Sequence, residues 1–437
     1  MDSDVLLGII RSSGLDADFQ VAARTTILHS VSLERGELTN LNINENAHVY
    51  VRCIYKKRAS TVAAPIEERG DILNLLKKAY TLAKLSGSTD TQSRFSMDKH
   101  KKGGTSLSKN IDKLNVAELI SKMASAKNAA QSELDPYSIN LGVEYSQGKL
   151  HIANSNGVSG DWEGSVANAE SEVVAKEGAE QASGRNEESA LDVAGLNLER
   201  LVMKTATLAK RMLGGKPAPS FVGELLLSPE TSKFLVGFLV PAMSGEEIFK
   251  KRSFLLNKNG TEIASKLINL REEKSMRSSP YNRQFDDELT PTSSKYLIKN
   301  GVLKTYLHNI YSAEKLHEKP TGNYFPSSLG GDIDVTNLIL APGKFTTEKL
   351  VSKIKRGIYL IETDDSPNRS TGDFSAMVVN GYYVENGKLI HPLKETMIGT
   401  NIIDLFKNVR LLGSDAVTLD GISAPAMLID NVQISGK

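Results

Sequence analysis

The amino-acid sequence predicts an α+β protein built from two domains. The first half, residues 1–215, mixes helical and alternating apolar patterns and predicts an α/β domain in which helices pack on a sheet. The second half, residues 220–437, repeats a hairpin turn signal and predicts a strongly curved, barrel-like antiparallel β domain with short helices. The chain has 437 residues, which exceeds the roughly 100–200 residues of one ordinary domain.

The strands and helices of the first half are predicted from the spacing of apolar side chains. Apolar and polar residues alternate over Asp18–Leu33 and Ala47–Tyr55, as in half-buried strands, and Ser138–Val174 has the pattern of further strands. Helical spacing of apolar residues occurs in four segments: Asp4–Leu15, Glu67–Leu85, Val116–Ala130 and Leu196–Leu213. The last segment runs into Gly214 and Gly215, which are typical helix stop signals.

A long exposed loop is predicted over residues 86–112. Ser, Thr and Asp are frequent there, and apolar residues are too few to anchor regular structure. The loop contains a basic run at 99–104. Because short charge runs are usually solvated, we interpret this run as solvent-exposed, and contact with an acidic partner is the alternative.

The turn signal of the second half is the dipeptide Asn-Gly, which tolerates the positive φ angles of a type I′ hairpin turn. It occurs along the chain at 156–157, 259–260, 300–301, 380–381 and 386–387. Most of these pairs are flanked by β-patterned runs, which predicts hairpins. Three short helices are predicted between the strands, over residues 229–240, 346–353 and 402–408, and Ser228-Pro229 is a typical helix start.

Composition argues against several classes of protein. Lys and Arg total 53 against 52 for Asp and Glu, so no bulk positive charge would attract nucleic acid. The longest compact apolar stretch, Phe234–Met243, is much shorter than the roughly 20 residues of a membrane-spanning helix, and Pro241 interrupts it. The first residues are acidic and lack the pattern of a signal peptide, so we expect a cytoplasmic protein. The single cysteine, Cys53, is predicted to be a buried strand residue.

The common catalytic motifs are missing from the sequence. A zinc peptidase usually places two histidines one helical turn apart with a glutamate between them, and no such pair occurs. The one His-Glu dipeptide, His317-Glu318, is followed by Pro320, which would break a helix, so His317 is interpreted as a surface or cap residue. Nucleophile-elbow and phosphate-binding loop motifs are also absent. No catalytic or metal-binding residue is therefore predicted in this chain.

Two polar clusters remain as candidates for a substrate cleft or a subunit contact. The first is Asp286-Asp287-Glu288 after Phe285, whose carboxylates could hold a hard cation or, the interpretation that we favour, cap a turn before Pro291. The second is a glycine-centred turn, which is either an Asx turn before a strand over residues 376–379 or a loop lining a ligand cleft. Its residues are Thr371, Gly372, Asp373, Phe374 and Ser375.

Ordered motifs over residues 220–437 resemble the PmbA/TldE branch of the TldD/PmbA family, whose members have been described as modulators of DNA gyrase. The motifs include Leu227-Ser228-Pro229-Glu230, Phe285-Asp286-Asp287-Glu288, the run from Asn300 to His308, Thr321-Gly322-Asn323, Lys355-Arg356-Gly357-Ile358-Tyr359, Thr371-Gly372-Asp373-Phe374-Ser375, Glu385-Asn386-Gly387 and the run from Ala424 to Ile429. The N-terminal half is similar in pattern more than in motif.

The resemblance implies that this chain is the partner of a zinc-bearing subunit. The TldD branch carries a His-Glu-x-x-x-His helix and a later cysteine that bind zinc, whereas the corresponding helix here, over residues 229–242, has no histidine, and no cysteine follows Cys53. Resemblance to this family implies that the chain belongs to a TldD–TldE heterodimer, which degrades or matures unfolded peptides. In that heterodimer a TldE-like chain closes the chamber, contributes no cofactor, and could form a homodimer when alone.

Two rival functions stay open at the level of sequence. One is a peptidase that acts alone through a metal held by Asp286, Asp287 and Glu288 or by scattered histidines. The other is a non-enzymatic regulator or adaptor, such as one acting on DNA gyrase. Metal content and cleavage by the purified chain would separate these classes from an accessory subunit.

Overall fold

The protein consists of two sheets with helices packed around them. In this computed structural model the described residues are 2–65, 69–87, 93–98, 103–106, 115–326 and 333–436. The strands of the first sheet are β1 Asp18–Glu34, β2 Glu37–Tyr55, β3 Arg58–Pro65, β4 Gly104–Ser106, β5 Ser138–Asn154, β6 Ser159–Glu177 and β7 Glu180–Ala190. They are ordered β3-β2-β1-β5-β6-β4, and β7 pairs with β6.

Four helices pack on one face of this sheet. They are α1 Ser3–Ser12, α2 Arg69–Leu85, α3 Val116–Leu134 and α4 Leu198–Arg211. Since side chains alternate along a strand, the odd-numbered residues of β1 share this face: Phe19 and Val21 pack with α1 and α2, and Val31 and Leu33 pack with α3 and α4. The even-numbered residues of β1 therefore face the C-terminal domain.

The C-terminal domain is built on a second, larger sheet. Its strands are β8 Phe221–Leu227, β9 Leu270–Glu272, β10 Lys295–Lys299, β11 Val302–Leu303, β12 Leu338–Leu340, β13 Arg356–Glu362, β14 Asp373–Met377, β15 Asn380–Glu385, β16 Lys388–Pro392, β17 Met397–Asn401, β18 Val409–Leu419 and β19 Ile422–Ser435. Its helices are α5 Pro229–Ala242, α6 Gly245–Phe249, α7 Ile310–Leu316, α8 Thr347–Val351 and α9 Ile402–Lys407. The mixed α+β class is as predicted.

The predicted barrel-like, antiparallel arrangement of this domain is not confirmed. In the described part of the chain the main path of the sheet runs from β11 at one end to β16 at the other and does not close. Two neighbouring pairs, β8 with β13 and β12 with β19, are parallel. Parallel neighbours need long crossovers rather than hairpins, so local turn signals do not predict them.

Most of the Asn-Gly turns form as predicted, and one does not. Asn300-Gly301 and Asn386-Gly387 have positive φ at both residues and connect β10 to β11 and β15 to β16. In contrast, the prediction of a turn at 380–381 is wrong, because Asn380 begins β15 and pairs with Glu362. The glycine is needed for a different reason: a Cβ on Gly381 would lie 2.5 Å from the carbonyl oxygen of Tyr359.

The segment predicted as an exposed loop is partly buried. Phe95 and Ser96 are almost fully buried, and Asn154 Nδ2 donates a 2.9 Å hydrogen bond to the carbonyl oxygen of Ser96. Gly104–Ser106 forms β4, which pairs in parallel with β6. The phenyl ring of Phe95 therefore anchors a segment that composition alone suggests is solvated. Residues 99–102 of the basic run lie outside the described residues.

The helices follow the sequence signals closely. The four predicted N-terminal helices all form, within a few residues of the expected bounds. Ser228 caps α5 by accepting a hydrogen bond from the backbone N–H of Thr231, and Gly214 beyond α4 has a φ of 73°. Among the described residues, every helix is too short or too polar to cross a bilayer.

Candidate functional site

An open groove with a volume of about 920 Å³ lies between the two domains. We call it the interdomain groove. One wall is formed by α4 and β7 of the first domain, and the other by α5, α8, β13 and β15 of the second. Both walls carry apolar side chains, including Met203, Leu208 and Phe234, together with charged ones. A groove of this size and mixed character can hold an extended chain.

Residues of two sheet edges line this groove. In the described structure β7 pairs only with β6, and β16 pairs only with β15. Arg185, Asn186 and Glu187 of β7 and Leu389 of β16 all line the cavity. Edge strands present unpaired backbone N–H and C=O groups, which can pair with an added strand.

Several charged side chains of the groove are held in ion pairs. Lys204 Nζ of α4 lies 2.7 Å from Glu230 Oε1 of α5 and so links the two walls. Burial raises the pKa of Glu230, but the charge and hydrogen bond of Lys204 outweigh this and hold it below its ordinary value. Arg185 Nε lies 2.6 Å from Glu170 Oε1 on the neighbouring strand.

Glu362 is the one carboxyl of the groove with a raised pKa among the described residues. Burial raises it, and the hydrogen bond that Asn380 Nδ2 donates to Glu362 Oε2, at 2.5 Å, opposes the shift only in part. A raised pKa means that the folded environment favours the protonated carboxyl more than water does. It lies at the end of β13, beside the groove.

The residues of the groove do not fit a zinc site. The part of α5 that lines it presents Glu230, Thr231, Lys233 and Phe234, none of which is histidine or cysteine, and Glu230 is already paired with Lys204. Within the described residues no three His, Cys, Asp or Glu side chains cluster as metal ligands would. Zinc in proteins needs three or four such ligands, so the groove wall lacks the donor set that a zinc ion requires.

The acidic triplet 286–288 is buried, and its three carboxylates have different partners. Asp286 caps a turn: it accepts hydrogen bonds from the backbone N–H groups of Glu288, Thr290 and Tyr324, at 2.9, 2.9 and 3.0 Å. Burial and the neighbouring Glu288 raise the pKa of Asp286 well above its ordinary value. The three N–H groups oppose this shift only in part. The favoured turn-capping role is confirmed for Asp286.

The other residues of this cluster join the C-terminal domain to the first sheet. Asp287 forms ion pairs with Arg24 of β1 and with Arg283. Glu288 Oε1 lies 3.1 Å from Arg52 Nη1 of β2, and its second oxygen accepts a hydrogen bond from the backbone N–H of Ile310. Phe285 packs in a small apolar cluster with Leu150, Ile152 and Leu289. We call these contacts the domain clamp; a role in peptide or partner contact stays a prediction.

The second predicted cluster, residues 371–375, forms an exposed polar turn against β17. Thr371 Oγ1 and Asn401 Nδ2 donate hydrogen bonds to Asp373, at 2.8 and 3.1 Å, and these bonds lower the pKa of Asp373. Gly372 has a φ of 78°, Phe374 is buried, and Ser375 lies within β14. The strand begins at Asp373, earlier than predicted, and none of the groove-lining residues belongs to this turn.

Within the described ranges histidine and cysteine side chains form no cluster that could hold a metal ion, although His308 and His317 line one further cavity. His308 is buried, which lowers its pKa, and its Nδ1 lies 3.3 Å from Ser312 Oγ. His317 ends α7 with a φ of 57°, so the prediction of a cap residue is confirmed. Cys53 is fully buried in β2, and burial together with Asp18 raises the pKa of its thiol to about 12. A thiol in that state is a poor nucleophile.

Sequence reasoning did not single out the groove as a site. Lys204 of α4 and Glu230 of α5 are 26 residues apart, whereas Glu362 of β13 follows more than a hundred residues later. In the sequence Glu230 stands out only as part of a helix start, and no spacing pattern links it to the other two. Pairing of elements that are distant in sequence creates this site, so no local signal predicts it.

Comparison with known families identifies the class of protein that has these two sheets and the groove between them. Family models described as the PmbA/TldA metallopeptidase C-terminal domain and central domain match residues 222–436 and 109–213. Together they cover most of the chain. The chain therefore belongs to the TldD/PmbA family.

Particular relatives resemble the chain over different lengths. It is 29% identical to a metalloprotease PmbA homolog of Buchnera aphidicola over 55% of this chain and 52% of that protein, so the match spans about half of that relative. It is 25% identical to metalloprotease MJ0996 of Methanocaldococcus jannaschii over 90% of this chain and 87% of that one. TldE from Thermococcus kodakarensis shares the fold, with a TM-score of 0.91, 21% identity, and coverage of 99% and 100%.

Proposed function

We propose that this chain is the non-catalytic, TldE/PmbA-like subunit of a cytoplasmic TldD–TldE-type metallopeptidase that degrades or matures unfolded peptides. Its partner is a TldD-like subunit that supplies zinc. The observation that carries the proposal is the groove wall formed by α5, which presents Glu230, Thr231, Lys233 and Phe234 where a peptidase of this family would present metal ligands. This chain then contributes a peptide-binding surface and no catalytic group.

The groove suits an extended peptide better than a folded protein. Edge strands β7 and β16 both border it, and an added strand binds an edge through main-chain hydrogen bonds with little demand on sequence. A folded protein has few free backbone groups to offer, because its own secondary structure uses them. The mixture of apolar and charged side chains that lines the groove would tolerate mixed peptide sequences.

A second edge offers a surface for the partner subunit. Residues 37–47 of β2 pair only with β1 among the described residues, and Leu41 and Ile43 are 52% and 58% exposed on the helix-bearing face. Apolar side chains on an unpaired edge are typical of strands covered by another chain. We place the contact with the TldD-like subunit, or with a second copy when the chain is alone, on this hairpin.

The test compares zinc content and peptide cleavage by this chain, by a TldD-like partner, and by their mixture. The groove is blocked with Thr207→Trp, because Thr207 on α4 lines it. Lys210→Trp is the matched control, since Lys210 is exposed on the same helix and does not line the groove. We expect zinc and cleavage only when the partner is present, and cleavage by the mixture should fall by about tenfold or more with Thr207→Trp alone.

Three outcomes would contradict the proposal. Stoichiometric metal and cleavage by this chain alone would make it a peptidase in its own right. Tight binding of the partner with no cleavage in the mixture would favour a regulator or adaptor. Equal cleavage with Thr207→Trp and Lys210→Trp would show that peptides do not pass through the groove, provided that circular dichroism finds both variants folded.

A further inference from the structure

A second cavity, of about 300 Å³, lies between the even-numbered face of the first sheet and the C-terminal domain. We call it the arginine pocket. Arg24 of β1 and Arg283 of the C-terminal domain line it, together with Trp162 and Phe325. It lies on the opposite face of the sheet from α4 and does not share its lining residues with the interdomain groove.

The floor of this pocket is built around the only tryptophan of the chain. Gly148 and Gly164 are directly paired on β5 and β6, and a Cβ on Gly164 would lie 2.2 Å from the Trp162 ring. The glycines thus let the indole lie flat on the sheet. Its Nε1–H donates a 3.1 Å hydrogen bond to the carbonyl oxygen of Asn282, which fixes the ring.

Hydrogen-bond donors of two guanidinium groups are in excess at this pocket. Arg24 and Arg283 share one carboxylate, that of Asp287, with one oxygen each. The Arg283 side chain is only 13% exposed, stacks 4.6 Å from the Trp162 ring centre, and has an Nε–H with no acceptor among the described residues. This missing acceptor leaves the polar surroundings of Arg283 incomplete, and a ligand that brings oxygen acceptors into the pocket would add partners for the two guanidinium groups.

The remaining walls are mostly apolar. Leu150, Val166, Pro280 and Phe325 line the pocket, and Phe325 lies 5.1 Å from the Arg283 guanidinium. One carboxylate, Asp334, also lines the pocket, but it is exposed and accepts a hydrogen bond from the backbone N–H of Val335. The pocket therefore combines guanidinium donors with a cavity for a residue-sized apolar group.

We propose that the arginine pocket binds a carboxylate attached to an apolar body, such as the C-terminal residue of a peptide with an apolar side chain. Guanidinium groups bind carboxylates by paired, charge-assisted hydrogen bonds, and the aromatic walls contact the side chain. A free small carboxylic acid has the same chemistry and is the other source of such a ligand. The proposal concerns this chain alone and does not depend on the proposed function.

Trp162 makes the proposal directly measurable, because intrinsic tryptophan fluorescence comes from this pocket alone. The chain is titrated with an unstructured peptide ending in leucine with a free carboxylate, with the same peptide as its C-terminal amide, and with N-acetyl-leucine. We expect a saturable change with the acid peptide and binding at least about tenfold weaker for the amide, because one charge-assisted contact is lost.

Variants separate binding from folding. Arg24→Gln should weaken binding of the acid peptide by about tenfold. Arg24→Lys keeps the charge and should weaken this binding less. Thr26→Phe fills the pocket without removing an ion pair and should abolish binding; Arg35→Gln, an exposed arginine outside the pocket, should change nothing. Thermal unfolding of each variant identifies any that fail to fold.

Equal affinity for the acid and the amide, or no saturable signal with any of the three ligands, would overturn the proposal. Full binding by Thr26→Phe would also overturn it, because the pocket would then not be the site. N-acetyl-leucine that binds as tightly as the acid peptide would support the carboxylate site and reject the peptide as its source.

Discussion

Glu362, a residue of the groove, makes the stability of the folded chain depend on pH. Its pKa is raised by burial, so the folded state favours the protonated carboxyl. The stability that this group contributes is complete below its ordinary pKa of 4.5 and is lost as the pH rises through the folded-state value. Glu362→Gln mimics the neutral form and keeps an oxygen for Asn380.

We therefore expect Glu362→Gln to be more stable than the native chain at about pH 8 and equal to it at about pH 4, as measured by thermal unfolding across that range. Glu385→Gln is the control, since Glu385 is exposed at the end of β15 and should show no such trend. A Glu362→Gln variant that is less stable at the higher pH would mean that the ionised carboxylate is the stabilising form.

The acidic triplet shows that neighbouring residues of one type can have unrelated roles. Asp286 caps a turn, Asp287 pairs with two arginines, and Glu288 reaches Arg52 on β2. Asp287 and Glu288 lie in the turn that Asp286 caps. The particular partners could not be predicted, because they come from β1, β2 and the C-terminal domain itself.

At the scale of elements, glycines in the second sheet serve close packing as well as turns. Gly381 lies within β15, where a Cβ would lie 2.5 Å from the Tyr359 carbonyl oxygen on β13. Gly399 lies within β17, and nothing is within 4 Å of the position of its Cβ. The same residue type is thus essential in one strand and replaceable in another.

Gly381→Ala should lower the free energy of unfolding by about 1–3 kcal/mol, because backbone atoms must move to admit the methyl group. Gly399→Ala should change it by less than about 1 kcal/mol. Urea unfolding followed by circular dichroism measures both values. Similar losses for the two variants would indicate that glycine is required in these strands for flexibility rather than for space.

At the scale of the whole molecule, the domain clamp holds the two halves together. Glu288 is buried in the C-terminal domain, and its pair with Arg52 crosses to the first sheet. Removing the charge of a buried carboxylate breaks this pair, which costs more than breaking an exposed pair. The groove and the arginine pocket both lie between the domains, so their shape depends on this clamp.

Glu288→Gln should lower the free energy of unfolding by about 3 kcal/mol. Glu170→Gln is the matched control: its pair with Arg185 is about half exposed on both sides, so the loss should stay below about 1 kcal/mol. Urea unfolding compares the two. Equal losses would show that the clamp is not a principal link between the domains.

Local features of this protein were determined by the sequence alone. The N-terminal helices, the Ser228 cap and the hairpins at Asn300-Gly301 and Asn386-Gly387 depend on residues within a few positions of one another, so they were predictable. The order of motifs over the C-terminal half also indicated the family. These signals are local because caps and turns use nearby backbone groups.

Only the tertiary structure decided how those elements meet. The parallel pairing of β8 with β13 joins segments more than a hundred residues apart, and the sheet path that ends at β16 leaves the barrel-like expectation unconfirmed. Phe95 is buried although its segment looks solvated. The interdomain groove and the arginine pocket each combine residues from both domains, because burial and pairing over long distances in sequence, rather than local preference, bring them together.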